Sequence, residues 1–160
     1  METVFESKRI NYVKVCESMV HDYLNMVNDD VHVGRFIGEP HEPFTVEQER
    51  EWIRAKIEAN APIFSMIEKS TGDFIGNVEM MDIKEDLGEL GIAITAAKQE
   101  MGYGTEAINA FVQYIKETLS LKHIKLKVYP TNARAIHVYT KCGFREYDRN
   151  DKYISMELIL

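Results

Sequence analysis

Segments with two different hydrophobic periods alternate along this chain, and the alternation limits the folds that it can adopt. In KHIKLKVY the apolar residues Ile124, Leu126 and Val128 alternate with residues of the opposite face, which predicts a half-buried strand that ends at Pro130. The preceding segment, residues 99–120, carries its apolar side chains at helical spacing. Helices packed on a sheet satisfy both patterns, so we expect an α/β (α+β) fold.

The same two periods predict the remaining elements. Strands are expected at residues 9–15, 62–69, 74–83, 88–95, 144–148 and 152–160, and helices at residues 17–29, 45–60 and 131–143. Thr45 and Gln48 form the signature of a capping box at the start of the second helix. Gly72 suits the turn of a hairpin, and Gly143 suits the end of the last helix.

Length, charge and cysteine usage narrow the class of protein. A chain of 160 residues fits one domain, residues 1–160, with a core of its own. Its net charge of -7 argues against nucleic-acid binding, which depends on lysine and arginine, and is compatible with a cationic substrate. No apolar run is long enough to cross a membrane, and no leader segment is recognisable, so a cytoplasmic protein without a membrane partner is expected.

Metal and thiol chemistry find little support in the sequence. The two cysteines, Cys16 and Cys142, lie far apart and indicate neither a disulfide framework nor a zinc site. No histidine is spaced to activate Cys142 as a nucleophile. The five histidines have no ligand spacing, so no metal is expected; they are His21, His32, His41, His123 and His137.

The segment QEMGYGTEA places Gly102 and Gly104 between a predicted strand and a predicted helix. Without Cβ atoms, backbone N–H groups of such a turn can approach an anion, and the helix N-terminus favours negative charge there. The segment lacks the third glycine of a dinucleotide fingerprint, and the chain has no P-loop. Taken alone, it predicts either a phosphate site or a tight strand-to-helix connection.

Three motifs in register resemble the GNAT family of N-acetyltransferases. QEMGYGT resembles the family's pyrophosphate motif, GELGIAI its fourth strand, and NARAIHVYTKCGF the segment after its fifth strand. The N-terminal half is similar to the RimJ/RimL-like branch. This resemblance implies a mostly antiparallel sheet with flanking helices, in which two parallel central strands splay apart and acetyl-CoA, the cosubstrate, lies in the gap.

The resemblance also assigns residues to acetyl-CoA. Its pantetheine amides would pair with the backbone of Gly91–Ile94, as a ligand adds a strand to a sheet. A backbone N–H near Ile94 would polarise the acyl carbonyl. Asn132 matches a position that commonly binds the cofactor, and it is also a candidate helix cap. The full implied set is Ile92, Ala93, Ile94, Gln99, Glu100, Met101, Gly102, Tyr103, Gly104, Thr105 and Asn132.

Catalytic roles follow from the same comparison and from the chemistry of amines. Tyr139 matches the family's general acid, which would protonate the departing thiolate. An alkylamine is almost fully protonated at neutral pH, so a base or a water route is required. Glu89 and Glu79 are the candidate bases, and with Asp82 they would attract a cationic acceptor. Lys127 stands where some protein N-terminal acetyltransferases of the family carry a glutamate base, which argues against that mechanism.

Several functions remain open at this point. The first is acetyl transfer to a primary amine by direct attack, with a protein N-terminus such as that of a ribosomal protein as acceptor. A polyamine or an aminoglycoside is the alternative acceptor. A non-catalytic acyl-CoA sensor and a plain nucleotide-binding domain are further alternatives, which Tyr139 and the missing P-loop respectively disfavour. Pairing of the C-terminal edge strands would allow a homodimer.

Overall fold

The computed structural model describes residues 1–160 as one sheet with helices on both faces. Four α-helices and eight strands follow one another in mixed order. The strands are β1 (Thr3–Glu6), β2 (Ile10–Lys14), β3 (Ile63–Glu68), β4 (Phe74–Lys84), β5 (Leu87–Ile94), β6 (His123–Val128), β7 (Arg145–Arg149) and β8 (Ile154–Ile159). The helices are α1 (Val20–Val27), α2 (Val46–Glu58), α3 (Tyr103–Leu119) and α4 (Ala133–Lys141).

The sheet has the order β1-β2-β3-β4-β5-β6-β8-β7, and every neighbouring pair is antiparallel except β5 and β6. The parallel pair is joined only between Leu87–Glu89 and His123–Lys125. From Leu90 onward β5 has no partner in β6, so the two strands separate. The expected mostly antiparallel sheet with splayed parallel central strands is confirmed.

Two hydrophobic clusters hold the helices to the sheet. The larger contains 20 buried residues and joins α3 to the strands, with Phe111 and Ile115 fully buried. The smaller contains 6 buried residues and lies under α1 and α2, where Tyr23 and Ile53 pack against Ile63 of β3. Thr45 and Gln48 form the predicted capping box at the start of α2. Helices α1 and α2 therefore rest on a core of their own.

One strand escapes prediction. The sequence predicts no strand before Arg9, whereas Thr3–Glu6 forms β1 at the sheet edge. Only Phe5 of this strand is partly buried, and it stacks on the Tyr12 and Tyr114 rings with centroids 4.1 and 4.3 Å away. A strand with one inward side chain shows no alternation of apolar and polar residues in its sequence. Tertiary contacts rather than local pattern therefore define β1.

Candidate active site

A loop of free backbone N–H groups begins α3. We call residues Gln99–Thr105 the glycine loop; it contains Glu100 with φ 60° and Gly102 with φ 82°, both in the left-handed region. The N–H groups of Glu100–Thr105 donate to no acceptor in the protein, and no side chain caps the helix. A row of unpaired N–H groups at a helix N-terminus is a binding site for an anion.

The resemblance implies that the N–H groups of Gln99–Thr105 meet a pyrophosphate, and the glycine loop differs from this expectation in one detail. The N–H of Gln99 donates to the Ala96 carbonyl at 3.2 Å, so the free donors begin at Glu100. Gln99 instead uses its side-chain amide, which donates to the Ile94 carbonyl at 2.8 Å and to the His32 carbonyl at 3.2 Å. Gln99 thus fastens the loop to the end of β5 and to the segment after α1.

Glu68 braces the glycine loop at two points. This carboxylate at the end of β3 is only 8% exposed; it accepts hydrogen bonds from Lys98 Nζ at 2.7 Å, from the Thr71 hydroxyl and from the Tyr103 hydroxyl. Lys98 directly precedes the loop, and Tyr103 is the first residue of α3. The bonds from Lys98, Thr71 and Tyr103 lower the pKa of Glu68 to about 2.

Arg9 braces the middle of the loop. Its guanidinium donates to the Met101 carbonyl at 2.9 Å and lies over the Tyr103 ring, 4.2 Å from the centroid. Glu106 orients it, accepting from Arg9 Nε at 2.7 Å and from the Arg9 backbone N–H at 2.6 Å. The side chain of Tyr103 is therefore structural, and only its backbone N–H faces the loop. Neither Arg9 nor Glu68 is recognisable from the sequence, because their partners are remote in the chain.

We expect Glu68→Gln to lower the free energy of unfolding at pH 7, because it removes the charge that Lys98 and Tyr103 require. Since the folded protein depresses the pKa of Glu68 from 4.5 to about 2, its contribution is complete above pH 4.5 and is lost as the pH falls toward 2. Denaturant unfolding at pH 7, 4 and 3 measures this. The exposed Glu58→Gln is the control, and a difference from wild type that does not shrink with acid would contradict the assignment.

The opening between β5 and β6 leads into a cleft of about 690 Å³. Its floor includes the backbone of Gly91–Ala93, the part of β5 that lacks a partner in β6. Its walls come from α1, α2, the segment 36–44, and the ends of β6 and α4. The cleft therefore extends from the gap between β5 and β6 to the space beside α1 and α2. We call the whole of it the acceptor cleft.

Tyr139 of α4, the candidate general acid, lines the acceptor cleft. Its ring packs 6.0 Å from that of Phe144, and its hydroxyl has no hydrogen-bond partner in the protein. Burial raises the pKa of Tyr139 to about 12, so the phenol keeps its proton throughout the neutral range. Asn132, in contrast, does not line the cleft; its Oδ1 accepts from the Ala135 N–H at 3.3 Å and caps α4.

The predicted carboxylates have different surroundings. Glu79 and Glu89 both line the cleft. Glu79 is bound to Lys56 Nζ at 2.6 Å, whereas Glu89 makes no ion pair in the protein. Asp82 is exposed and lies outside the cleft, so the structure does not bring it together with the other two. Lys127, at the position of the missing glutamate, lies at the cleft with its Nζ 5.9 Å from the Tyr153 ring centroid.

Two further features of the cleft depend on contacts between residues that are distant in the chain. Glu49 of α2 is only 6% exposed, yet it lines the cleft and has no hydrogen-bond or ion-pair partner. The segment 36–44, which we call the strap, crosses to the far side of the cleft. There the Tyr129 hydroxyl donates to the Gly38 carbonyl at 2.6 Å and the Tyr153 hydroxyl donates to Glu39 at 2.9 Å.

No group of three or more histidine, cysteine, aspartate or glutamate side chains is placed to hold a metal ion. None of the helices combines the length and the apolar character needed to cross a membrane. Cys142 lies beside the Thr105 carbonyl, and burial raises the pKa of its thiol, which does not favour a nucleophile. The anion loop, the strand gap and the acceptor cleft remain as the functional features.

Comparison with known proteins identifies an acyltransferase that acts on amines. The family model described as an acetyltransferase (GNAT) domain matches residues 9–145. The chain belongs to the GNAT family of N-acetyltransferases, and the resemblance drawn from its motifs is confirmed.

Individual relatives differ in their acceptors. Spermidine N(1)-acetyltransferase of Vibrio cholerae is 30% identical over 124 residues, which cover 76% of this chain and 70% of the relative. A crystal structure of spermidine N-acetyltransferase from Vibrio cholerae with CoA and spermine has a TM-score of 0.81 at 23% identity, covering 94% of this chain and 95% of the other. Ribosomal-protein-S5-alanine acetyltransferase from Vibrio fischeri also has a TM-score of 0.81, at 18% identity, with 97% and 95% covered. The shared fold therefore does not identify the acceptor.

Proposed function

We propose that this protein transfers the acetyl group of acetyl-CoA to a primary amine of a small cationic acceptor. The observation that carries the proposal is the continuity of the site: free N–H groups, an unpaired strand edge and a carboxylate-lined cleft follow one another. An anionic donor and a cationic acceptor could thus approach Tyr139 from opposite sides.

The donor side fits coenzyme A. Glu100–Thr105 present N–H groups to a pyrophosphate, with Arg9 and Glu68 fixing the loop in position. The free edge at Gly91–Ala93 offers backbone donors and acceptors to the pantetheine amides. Acetyl-CoA supplies an activated acyl group when bound. Asn132 supports the site by capping α4, the helix that carries Tyr139.

The residues of the cleft supply the proton transfers. The acceptor ammonium loses a proton to Glu89, directly or through water, and the neutral nitrogen forms a bond to the acetyl carbon. The carbon–sulfur bond breaks, Tyr139 gives its proton to the departing thiolate, and the nitrogen of the new amide loses its second proton to water. The reprotonation of Tyr139 by solvent and the release of the proton from Glu89 restore the resting site. Glu79 acts less directly, because Lys56 already neutralises it.

A polyamine is the acceptor class that the cleft favours. Glu49 and Glu89 are carboxylates without a protein cation, and the strap narrows the approach from solvent. The similarity to a spermidine acetyltransferase supports this choice. A protein N-terminal amine is the second candidate, which the shared fold with the S5-alanine acetyltransferase supports.

Acetyl-CoA at about 100 times its Kd should stabilise the folded protein by about 2.7 kcal/mol and raise Tm by roughly 5 °C or more. Differential scanning fluorimetry with acetyl-CoA, and with ATP as the control, measures this shift. A thiol-release assay should then show turnover with polyamines and less with N-terminal peptides. An absent shift would contradict the donor proposal, and preference for peptides would contradict the acceptor proposal.

A further inference from the structure

Glu49 is a buried acidic residue that has no hydrogen-bond or ion-pair partner in the protein. Glu49 lies in the first turn of α2, beside the cleft, and is only 6% exposed. No side chain or backbone group donates a hydrogen bond to it, and no lysine or arginine pairs with it. Two other carboxylates of the cleft form ion pairs: Glu79 pairs with Lys56, and Glu39 pairs with Lys152.

A buried carboxylate without a partner costs the folded protein free energy. Burial accordingly raises the pKa of Glu49. The positive end of the α2 dipole favours its charged form and offsets part of this cost. Nothing within the protein compensates for the remainder, so a positively charged group that enters the cleft would be attracted to this position.

The position of Glu49 separates it from the reacting centre. Ile63 of β3, Glu79 of β4 and Gly91 of β5 pair in one row across the sheet. Because neighbouring strands are about 4.8 Å apart, β3 lies roughly 10 Å from β5. Ile53, one turn beyond Glu49 on α2, packs in the cluster of Ile63. Glu49 thus belongs to the β3 side of the cleft, away from the thioester expected beside β5.

Resting on the proposed function, we propose that Glu49 binds a second, non-reacting ammonium group of a di- or polyamine acceptor. One end of such an acceptor would pair with Glu49 while its other amine meets the acetyl group near Glu89 and Tyr139. Trp52 and Phe44, which also line the cleft, supply apolar surface for the methylene groups between the two charges. A monoamine reaches only one of these positions.

Glu49→Gln tests this role with a matched pair of acceptors, putrescine and butylamine, which share a four-carbon chain and differ by one ammonium group. We expect the substitution to raise KM for putrescine at least tenfold and to change kcat/KM for butylamine less than twofold. The control is Glu51→Gln, an exposed carboxylate on the same helix, which should leave both amines unaffected. Because the amide relieves a buried charge, Glu49→Gln should melt no lower than wild type.

The outcomes separate the two proposals. If wild-type enzyme turns over neither amine nor spermidine although acetyl-CoA raises its Tm, the amine-acceptor function is overturned together with the role of Glu49. If wild-type enzyme acts on amines but Glu49→Gln weakens putrescine and butylamine equally, the proposed function stands and the assignment of Glu49 is overturned. Equal kcat/KM of the wild type for the two amines would overturn it as well.

Discussion

Replacing Tyr139 with phenylalanine should lower kcat by about 100-fold, the order expected for loss of a general acid, with little change in KM for acetyl-CoA. Tyr139 lines the cleft, its hydroxyl has no hydrogen-bond partner in the protein, and burial raises its pKa to about 12. A departing thiolate would thus lose its proton donor while the binding surfaces stay in place. Steady-state kinetics with varied acetyl-CoA and a saturating amine measures both constants.

The matched control for Tyr139 is Tyr147→Phe on β7, which removes the same hydroxyl from an exposed ring. Its kcat should equal that of the wild type. Because Tyr139 has no hydrogen bond to lose, the melting temperature of Tyr139→Phe should stay close to that of the wild type. A kcat unchanged at every pH would show that the thiolate takes its proton from another source.

Replacing Gly102 with valine should raise the KM for acetyl-CoA at least tenfold. Gly102 has φ 82°, a conformation that costs a residue with a Cβ about 1–2 kcal/mol. Its Cβ would also lie 3.3 Å from Nη2 of Arg9, and the Nη1 of the same guanidinium holds the Met101 carbonyl. Relief of either conflict turns the free N–H groups away from a pyrophosphate. Isothermal titration with CoA measures the loss of affinity directly.

Gly72→Val is the control that distinguishes a loss of CoA binding from a general loss of stability. Gly72 has φ 79° and lies in the hairpin turn between β3 and β4, where an added Cβ meets nothing within 4 Å. Both variants should lose similar stability from the same backbone strain, but only Gly102→Val should lose affinity for CoA. Equal affinities of the two variants would contradict the role assigned to the glycine loop.

The fold was largely predictable because local pattern and tertiary structure agree over most of the chain. The alternation around Leu126 and the helical spacing around Phe111 each describe a real core face. Local pattern and tertiary structure disagree where an element buries only one side chain or buries a side chain incompletely. Phe5 is the sole inward residue of β1, and Ile57 of α2 is 52% exposed although it lies one turn beyond the buried Ile53.

The sequence indicates the free N–H groups of the candidate site, but it does not indicate the side chains that hold them in place. A glycine pair before a helix indicates free N–H groups, because a local sequence motif is enough to define such a turn. The brace between Glu68 and Tyr103 joins residues 35 positions apart, and the Arg9–Glu106 pair joins residues 97 apart. Glu49 resembles any helix-surface glutamate in the sequence, since its burial depends on how α2 meets the sheet.

The separate core beneath α1 and α2 has a consequence for how this enzyme can diversify. Six buried residues support the wall that α1 and α2 form beside the cleft, while the glycine loop and α3 belong to the main cluster. Substitutions in that wall can therefore change which amine fits without disturbing the shared chemistry of the donor. Single substitutions in this wall can therefore produce new acceptor specificities. A designer who seeks a different acceptor can confine the changes to about forty residues, 19–58.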